Sequence, residues 1–421
     1  MTYFGKPYIC VAAGALAALA VLTGDLADGA VQAQTAKGES VTGRGRPEFA
    51  PIGIEHESLG TLRIFPSVTI ENEYESNVFR QETDERSDLF VRIEPTLDIR
   101  TDWDNHGLRI LATGDITRFV ELDSEDAEDF KVTATGDLDI TERLTTRLGL
   151  HHERDHVARS SPDDVGGAKP TITFDTGAAL RLGFDGEVID IDGRGSYRRV
   201  NVRDNDGINN DDQDKDEYIG TIRLSYESVP GSKFFIQPSI TVEDFLDQLD
   251  DTGVNRDSLT GNFLAGVSVD YSAVTFFELG AGYRNRSFDD PALSSESGLS
   301  VDGRVIWNAT DLSTLTLAIK NAIEDTTTGG ASSKDVWTAS LRGDHELLYS
   351  LLLEAGATFV RESFNGIDRS DQELTLFAGA DYRMNEYIRV RGRYTMDDKS
   401  SDDRTAEFLN HALNIRVTGQ L

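Results

Sequence analysis

One stretch of this sequence spells a catalytic motif: His152-Glu153-Arg154-Asp155-His156 reads H-E-x-x-H. In metalloproteases this motif places two zinc-binding histidines on one face of a helix, with the glutamate as general base. Here the residues end an alternating pattern that is typical of a β-strand, where positions four apart lie about 13 Å from each other. Two histidines at that separation cannot both bind one zinc ion at about 2 Å. The segment is therefore predicted to be a solvated strand end, with zinc hydrolysis as the alternative.

No other catalytic pattern is visible in the sequence. Apart from His151, His152 and His156, the histidines are scattered along the sequence. No Gly-x-Ser-x-Gly elbow is present. The single cysteine, Cys10, lies in an apolar stretch near the N-terminus, so thiolate metal sites and disulfides are not expected in a mature chain. We therefore predict that the protein is not an enzyme and has neither a cofactor nor a dedicated metal site.

The acidic segment from Asp204 to Asp212 resembles a calcium-binding loop. Its glycine, Gly207, comes too early, and no glutamate closes the twelve-residue frame. Three interpretations stay open for this and the other acidic segments. They are solvated faces, weak divalent-cation sites, or surfaces that bridge to neighbouring lipopolysaccharide through bound cations.

The most interesting charged set is a group of arginines on one face of the last three predicted strands, whose other face is apolar. The group consists of Arg383, Arg389, Arg391, Arg393 and Arg416. We expect few acidic residues beside them. If these strands line a channel, such a wall favours anions or phosphates. In the alternative interpretation the arginines pair across the lumen and hold the shape of the barrel, with acids from this set: Glu94, Asp98, Asp137, Asp139, Glu278 and Asp302.

The elements that would position these residues are short strands of alternating apolar and polar residues, which recur about eighteen times, the first at 62–74 and the last at 408–421. Tight turns such as Pro230-Gly231 alternate with long acidic loops. Aromatic residues fall at strand ends on the apolar face, as in membrane-interface girdles. These features predict an all-β protein: a single antiparallel transmembrane β-barrel of about 18 strands, with short periplasmic turns and long acidic external loops. A soluble all-β fold such as a propeller is the alternative.

The N-terminal region has a different composition. An apolar run from Ile9 to Leu22 follows Lys6, and small residues precede Gln34, so residues 1–33 are predicted to be a signal peptide cleaved near Ala33. Residues 34–60 lack strand periodicity and are predicted to be a periplasmic lead-in that packs at the barrel mouth, before a barrel at 61–421. The net charge of −33 argues against nucleic-acid binding. The expected surroundings are outer-membrane lipid and lipopolysaccharide.

Two segments at the start of the predicted barrel carry a family resemblance: Arg46-Pro47-Glu48-Phe49-Ala50-Pro51-Ile52-Gly53 and Tyr74-Glu75-Ser76-Asn77-Val78-Phe79. They resemble the opening of the putative beta-barrel porin 2 family, and further similarity extends over nearly the whole chain. The resemblance implies a Gram-negative outer-membrane barrel whose relatives often accompany polysaccharide biosynthesis and export. We therefore expect a passage for extracellular polysaccharide, working with periplasmic export partners. The alternatives are a general or anion-preferring porin and a non-conducting surface scaffold or adhesin.

Overall fold

The fold was obtained as a computed structural model, which describes residues 40–41, 43–55, 61–164, 167–205, 207–272 and 274–421. The predicted signal peptide lies outside these residues. Over the described chain, alternating residues form eighteen strands, with these bounds: β1 Leu62–Glu75, β2 Asp88–Thr101, β3 His106–Phe119, β4 Ala127–Asp139, β5 Leu144–His156, β6 Ile172–Asp185, β7 Ile189–Val202, β8 Lys215–Val229, β9 Ser232–Phe245, β10 Ser258–Ser272, β11 Thr275–Phe288, β12 Glu296–Thr310, β13 Ser313–Glu324, β14 Ser333–Leu348, β15 Leu351–Asn365, β16 Ser370–Arg383, β17 Ile388–Ser401 and β18 Phe408–Gln420.

The strands form one closed antiparallel sheet in chain order. Closure is made by β1 and β18, whose register runs from Ser67 opposite Gln420 to Glu75 opposite Ala412. A closed sheet has no edge strand, so its backbone groups find partners within the wall. No helix among the described residues is long and apolar enough to cross a bilayer. The predicted all-β, eighteen-strand barrel is confirmed.

Connections differ between the two ends of the barrel. At one end, here the turn end, strands join through tight turns such as Pro230-Gly231, where Gly231 adopts a positive φ of 82° that suits glycine. The other end, the loop end, carries long connections such as residues 157–171 and 203–214. The connection 366–369 lies at the loop end but is short, because β15 continues to Asn365 and β16 begins at Ser370. Gly366, with φ 101°, is part of this tight hairpin.

The outer face of the sheet is apolar. Many large apolar side chains remain exposed there, including Trp103, Tyr226, Tyr271 and Trp307 near the turn end. Near the loop end Tyr74, Phe130, Tyr218, Tyr283 and Phe359 are likewise exposed. The inner face instead holds charged side chains that are largely buried, such as Glu71, Arg286 and Lys334. This distribution is the one expected of a barrel with lipid outside and a polar lumen.

The described part of the lead-in lies against the turn end of the barrel. Ile54 forms a β-bridge with Ile64 of β1. Farther along the rim, the fully buried Val41 donates its backbone N–H to Thr314 Oγ1 at 2.9 Å. Between these points Arg46 forms an ion pair of 2.6 Å with Glu346 of β14. Residues 43–55, together with Ser40 and Val41, therefore lie along the rim from β1 to β13 at this mouth of the lumen.

Candidate functional site

The five predicted arginines lie on β16, β17 and β18, beside one another around the ring. Arg391 and Arg393 share the carboxylate of Glu354 on β15, at 2.5 and 2.7 Å from its Oε1. Arg342 of β14 approaches the other oxygen of the same carboxylate at 2.9 Å. Three guanidinium groups thus surround one acid, which is only 6% exposed.

The remaining arginines of this set differ from one another. Arg389 donates to Asp381 of β16, with its Nε at 2.7 Å, and Arg416 pairs with Glu71 of β1. Arg383 has no ion pair within 4 Å among the described residues. The expectation that few acids lie beside this wall was wrong. Register brings Glu354 of β15 next to the arginines of β17, and barrel closure brings Glu71 of β1 next to Arg416. Asp381, in contrast, lies eight residues before Arg389 in the same hairpin.

The acids expected to pair across the lumen mostly have other partners. Glu94 does approach Arg416, at 3.5 Å. Asp98 instead pairs with Arg100 and Arg109 at the turn end, Asp137 with Arg147, and Glu278 with Arg223. The arginines thus pair with near neighbours along the wall rather than across the open lumen. The positive charge of the predicted wall is only partly compensated, because Arg342, Arg391 and Arg393 share one carboxylate.

The loop between β5 and β6 folds into the lumen through its residues 157–164. Its Asp163 accepts hydrogen bonds from Thr326 Oγ1 at 2.9 Å and from the backbone N–H of Thr327 at 2.8 Å. The same carboxylate forms an ion pair of 2.9 Å with Lys334 of β14. Because β14 lies halfway around the ring from β5 and β6, this loop crosses the lumen to the opposite wall.

Further contacts hold the crossing loop at both sides of the lumen. On the far side Lys399 of β17 donates to the backbone carbonyl of Ser160 at 3.3 Å. On the near side Arg159 binds both carboxylate oxygens of Glu125, each at 2.9 Å, and also pairs with Asp164 at 3.2 Å. A two-pronged arginine–carboxylate contact fixes orientation as well as position.

A second loop, residues 325–332 between β13 and β14, also turns inward. Asp325 forms ion pairs with Lys215 of β8 and Arg286 of β11. Both cations also contact Glu243 of β9, at 2.7 and 2.5 Å. Since Thr326 and Thr327 belong to this loop and contact Asp163, the two loops meet inside the barrel.

A third loop supports this meeting point. Arg256, between β9 and β10, donates Nη1 to the carbonyl of Thr326 at 3.3 Å and pairs with Asp250 at 2.7 Å. Burial would raise the pKa of Asp250. Hydrogen bonds from Thr252, Val254 and Arg256 outweigh it and lower the pKa to about 2. Asp250 therefore stays ionised and keeps Arg256 in place.

The inward course of these loops was missed at the sequence level. Acidic composition indicates a loop but not its direction. A signal was nevertheless present in the strands. Lys334 and Lys399 lie at the loop ends of β14 and β17 on the inward parity, and both are buried. A lysine buried there needs an acidic partner, and an inward-folded acidic loop can supply one.

The H-E-x-x-H segment forms the loop end of β5 and not a helix, as predicted. His152 Nδ1 contacts Thr176 Oγ1, whereas His156 Nδ1 contacts Asp129 at 2.6 Å, so the two histidines have separate partners. Asp129, Asp155 and His156 place one ligand atom each within 4.8 Å of one another. Arg154 already pairs with Asp129 at 3.0 Å, which opposes a cation there.

The calcium-like segment uses its polar groups internally. Asp204 accepts the backbone N–H of Asn210 at 3.2 Å, and the amide of Asn210 donates to the carbonyl of Arg203 at 2.9 Å. Asp214 accepts the backbone N–H of Val202 at 2.7 Å. These contacts close the β7–β8 loop and do not converge on a common cation position.

Several solved structures are similar to this chain in fold. The outer membrane protein opdK of Pseudomonas aeruginosa has 10% identity and a TM-score of 0.48, over 85% of this chain and 99% of that one. OccAB3 of Acinetobacter baumannii has 11% identity and a TM-score of 0.47, with the same coverage. The siderophore receptor PirA of Pseudomonas aeruginosa has 8% identity and a TM-score of 0.46, over 85% and 80%. No curated protein sequence matches the chain.

The family comparison covers far more than half of the sequence. The model described as putative beta-barrel porin 2 matches residues 46–421, from the arginine of the lead-in to the last residue. This range contains the whole eighteen-strand barrel and the loops that meet inside it. The chain therefore belongs to the putative beta-barrel porin 2 family and is a porin-like β-barrel of the bacterial outer membrane.

Proposed function

We propose that this barrel is a constricted diffusion channel for small hydrophilic solutes. The observation that supports the proposal is the contact of Asp163 with Thr326, Thr327 and Lys334, which places two loops inside the lumen. In bacterial barrels the long loops face outward and the short turns face the periplasm. The constriction then lies in the outer half of the channel, and the lead-in lies at the periplasmic mouth.

The charged wall below the constriction suits small polar solutes of either sign. Arginines and acids alternate on it, as in the cluster of Glu354 with Arg342, Arg391 and Arg393. A ring of unpaired arginine would favour anions. Because Arg389 and Arg416 each have an acidic partner but three arginines share Glu354, the charge of this wall is only partly compensated. We therefore expect a weak preference for anions, to which Arg383 contributes.

Polysaccharide export, which the family resemblance implies, is the second candidate. A polymer would have to pass the point where the two loops meet, so residues 157–164 would have to leave the lumen. One observation favours this candidate: the loop is held to the far wall by side chains, namely Asp163, Lys334 and Lys399, and not by strand pairing. Such contacts can exchange for water or for a partner protein without disrupting the sheet.

The test is swelling of proteoliposomes in neutral solutes of increasing size, from glycerol through mono-, di- and trisaccharides. Neutral solutes remove charge preference from the comparison. A constricted channel admits the smaller solutes and excludes the larger ones at a sharp limit. Swelling with none of them would indicate a closed barrel, as expected of a scaffold or of an exporter that needs its partners, and would refute the diffusion channel.

A further inference from the structure

The wall of the barrel is incomplete between β12 and β13 near the loop end. Hydrogen-bonded pairing of these strands ends at Asp302 opposite Lys320. Yet β12 continues to pair with β11 as far as Glu296, and β13 continues to pair with β14 as far as Glu324. The outer parts of β12 and β13 thus run next to each other without a ladder, which leaves a gap in the sheet.

The side chain of Asn321 connects the two strands at the start of this gap. The amide of Asn321 on β13 donates to the carbonyl of Leu299 at 2.8 Å and accepts the backbone N–H of Val301, also at 2.8 Å. In hydrocarbon every unpaired backbone group costs several kcal/mol, so a membrane-facing wall rarely leaves a ladder open. Two side-chain hydrogen bonds here take the place of the missing ladder.

Hydrogen bonds hold the outer end of β12 to β14 and β15, the two strands that follow β13. Glu296 accepts the hydroxyl of Ser333 on β14 at 2.6 Å, and the carbonyl of Ser294 accepts the amide of Asn365 on β15 at 2.9 Å. The end of β13 meanwhile leads into the inward-folded loop, where Asp325 reaches Arg286. The gap follows from this arrangement, because the end of β13 leads into the inward-folded loop while the outer end of β12 is held to β14 and β15.

Arg284 of β11 lies beside the gap, opposite Gly298 of β12. Its Nη2 pairs with Asp335 of β14, so the side chain reaches past β12 and β13. The residue is only 4% exposed, and its Nε and Nη1 are buried without a hydrogen-bond partner. Buried guanidinium nitrogens without partners are costly and are suited to receive an anion.

A groove of about 490 Å³ lies on the outer face next to the gap. Its apolar lining comes from Ile319, Trp337, Ala339 and Phe359, and its polar lining includes Arg361 and Ser363. Asp335 belongs both to this lining and to the pair with Arg284, so the groove reaches the gap. The volume is within the range of small-molecule sites.

We propose that this groove and the gap form a lateral entry site for an amphiphile with one acyl chain and an anionic head group. The acyl chain lies in the groove along Trp337 and Phe359, and the head group enters the gap toward the unpartnered nitrogens of Arg284. Entry breaks the two hydrogen bonds of Asn321, and the strands need no further unpairing. The inference does not depend on axial conduction of solutes through the lumen.

The test uses the variant Val301→Cys/Asn321→Cys, in which a disulfide can close the gap. The sequence has one other cysteine, Cys10, which lies in the predicted signal peptide and is not expected to compete in the mature protein. The barrel is placed in phosphatidylcholine nanodiscs, and binding of fluorescently labelled dodecyl phosphate is followed by anisotropy. The reduced variant should bind the probe, and oxidation should weaken binding at least tenfold, reversibly. The matched control, Val305→Cys/Leu317→Cys, lies where the ladder is intact, and its oxidation should leave binding unchanged.

Two further measurements separate this site from alternatives. Wild-type protein should prefer dodecyl phosphate to dodecyl glucoside, and Arg284→Gln should lose that preference while still binding the neutral probe. Axial conductance of the oxidised gap variant should equal that of wild type, so failure of the channel proposal would not affect this result. Equal binding by the oxidised and reduced gap variants, or equal binding of both probes by wild type, would overturn the lateral entry site.

Discussion

The ion pair between Asp163 and Lys334 is the most direct point at which to perturb the constriction. The substitution Asp163→Asn keeps the size of the side chain and an oxygen that can accept from Thr326 and Thr327. It removes the charge that faces Lys334, which is fully buried and otherwise pairs with Glu362 at 3.0 Å. The variant therefore weakens the attachment of residues 157–164 to the opposite wall and leaves the sheet intact.

The size of the effect follows from the contact that is lost. A hydrogen bond to a charged group contributes roughly 1.5–3 kcal/mol, and Lys334 keeps one acidic partner. We therefore expect the docked loop to lose about 2 kcal/mol relative to the undocked loop. Since 1.4 kcal/mol corresponds to a tenfold change in an equilibrium constant, the ratio of docked to undocked loop should fall roughly thirtyfold.

The assay is single-channel recording in planar bilayers at moderate salt. Asp163→Asn should spend more time in a level of higher conductance than wild type, because the loop leaves the lumen more often. The control is Asp247→Asn, which removes the same charge from an exposed position in the β9–β10 loop and should match wild type. Equal conductance for Asp163→Asn and wild type, with both barrels shown to be folded by heat-modifiable mobility, would refute the constriction by residues 157–164.

Three other perturbations have defined outcomes. Replacing Arg389, Arg391 and Arg393 together by alanine removes three positive charges and leaves Asp381 without its arginine, while Glu354 keeps Arg342. The reversal potential in a salt gradient should therefore shift toward cation preference, and an unchanged potential would contradict the placement of these charges along the path of the permeating ions. Arg46→Ala breaks the buried ion pair with Glu346, and the loss of such a pair typically costs about 3–5 kcal/mol. Trypsin should therefore cleave the lead-in at Arg44 faster than in wild type while the barrel stays folded. Equal rates of cleavage would contradict the docking of the lead-in on the barrel. The pKa of Asp250 is lowered from 3.8 to about 2. The ionised carboxylate therefore stabilises the β9–β10 loop fully above pH 4, and this stabilisation is lost as the pH falls through about 2. At pH 3 pepsin should spare this loop in wild type but should cleave it in Asp250→Asn.

The strands and their number were predictable because barrel strands carry a local signal. A side chain on a strand faces either lipid or water, and this choice repeats every two residues along the chain. The first strand was expected at 62–74 and occurs at Leu62–Glu75, and the last was expected at 408–421 and occurs at Phe408–Gln420. Tight turns such as Pro230-Gly231 were recognisable because their residue types match the backbone angles they adopt.

The partners of the lumen charges could not be read from the sequence. Arg391 and Arg393 meet Glu354, which lies 37 and 39 residues away along the chain and across an intervening strand. Arg416 meets Glu71 only because β18 closes the sheet against β1. Strand parity gives the face of each side chain, but register and closure decide which charges become neighbours.

Sequence alone determined that this chain forms an outer-membrane barrel with a polar lumen, because alternation and turn chemistry act over a few residues. Tertiary structure decided what lies inside that lumen and where its wall is open. The direction of residues 157–164 depends on Lys334 and Lys399, which arrive from the far side of the ring. The gap at Asn321 depends on the loop after β13 turning inward while the outer end of β12 is held to β14 and β15. Both features arise from contacts between distant parts of the chain, for which periodicity carries no signal.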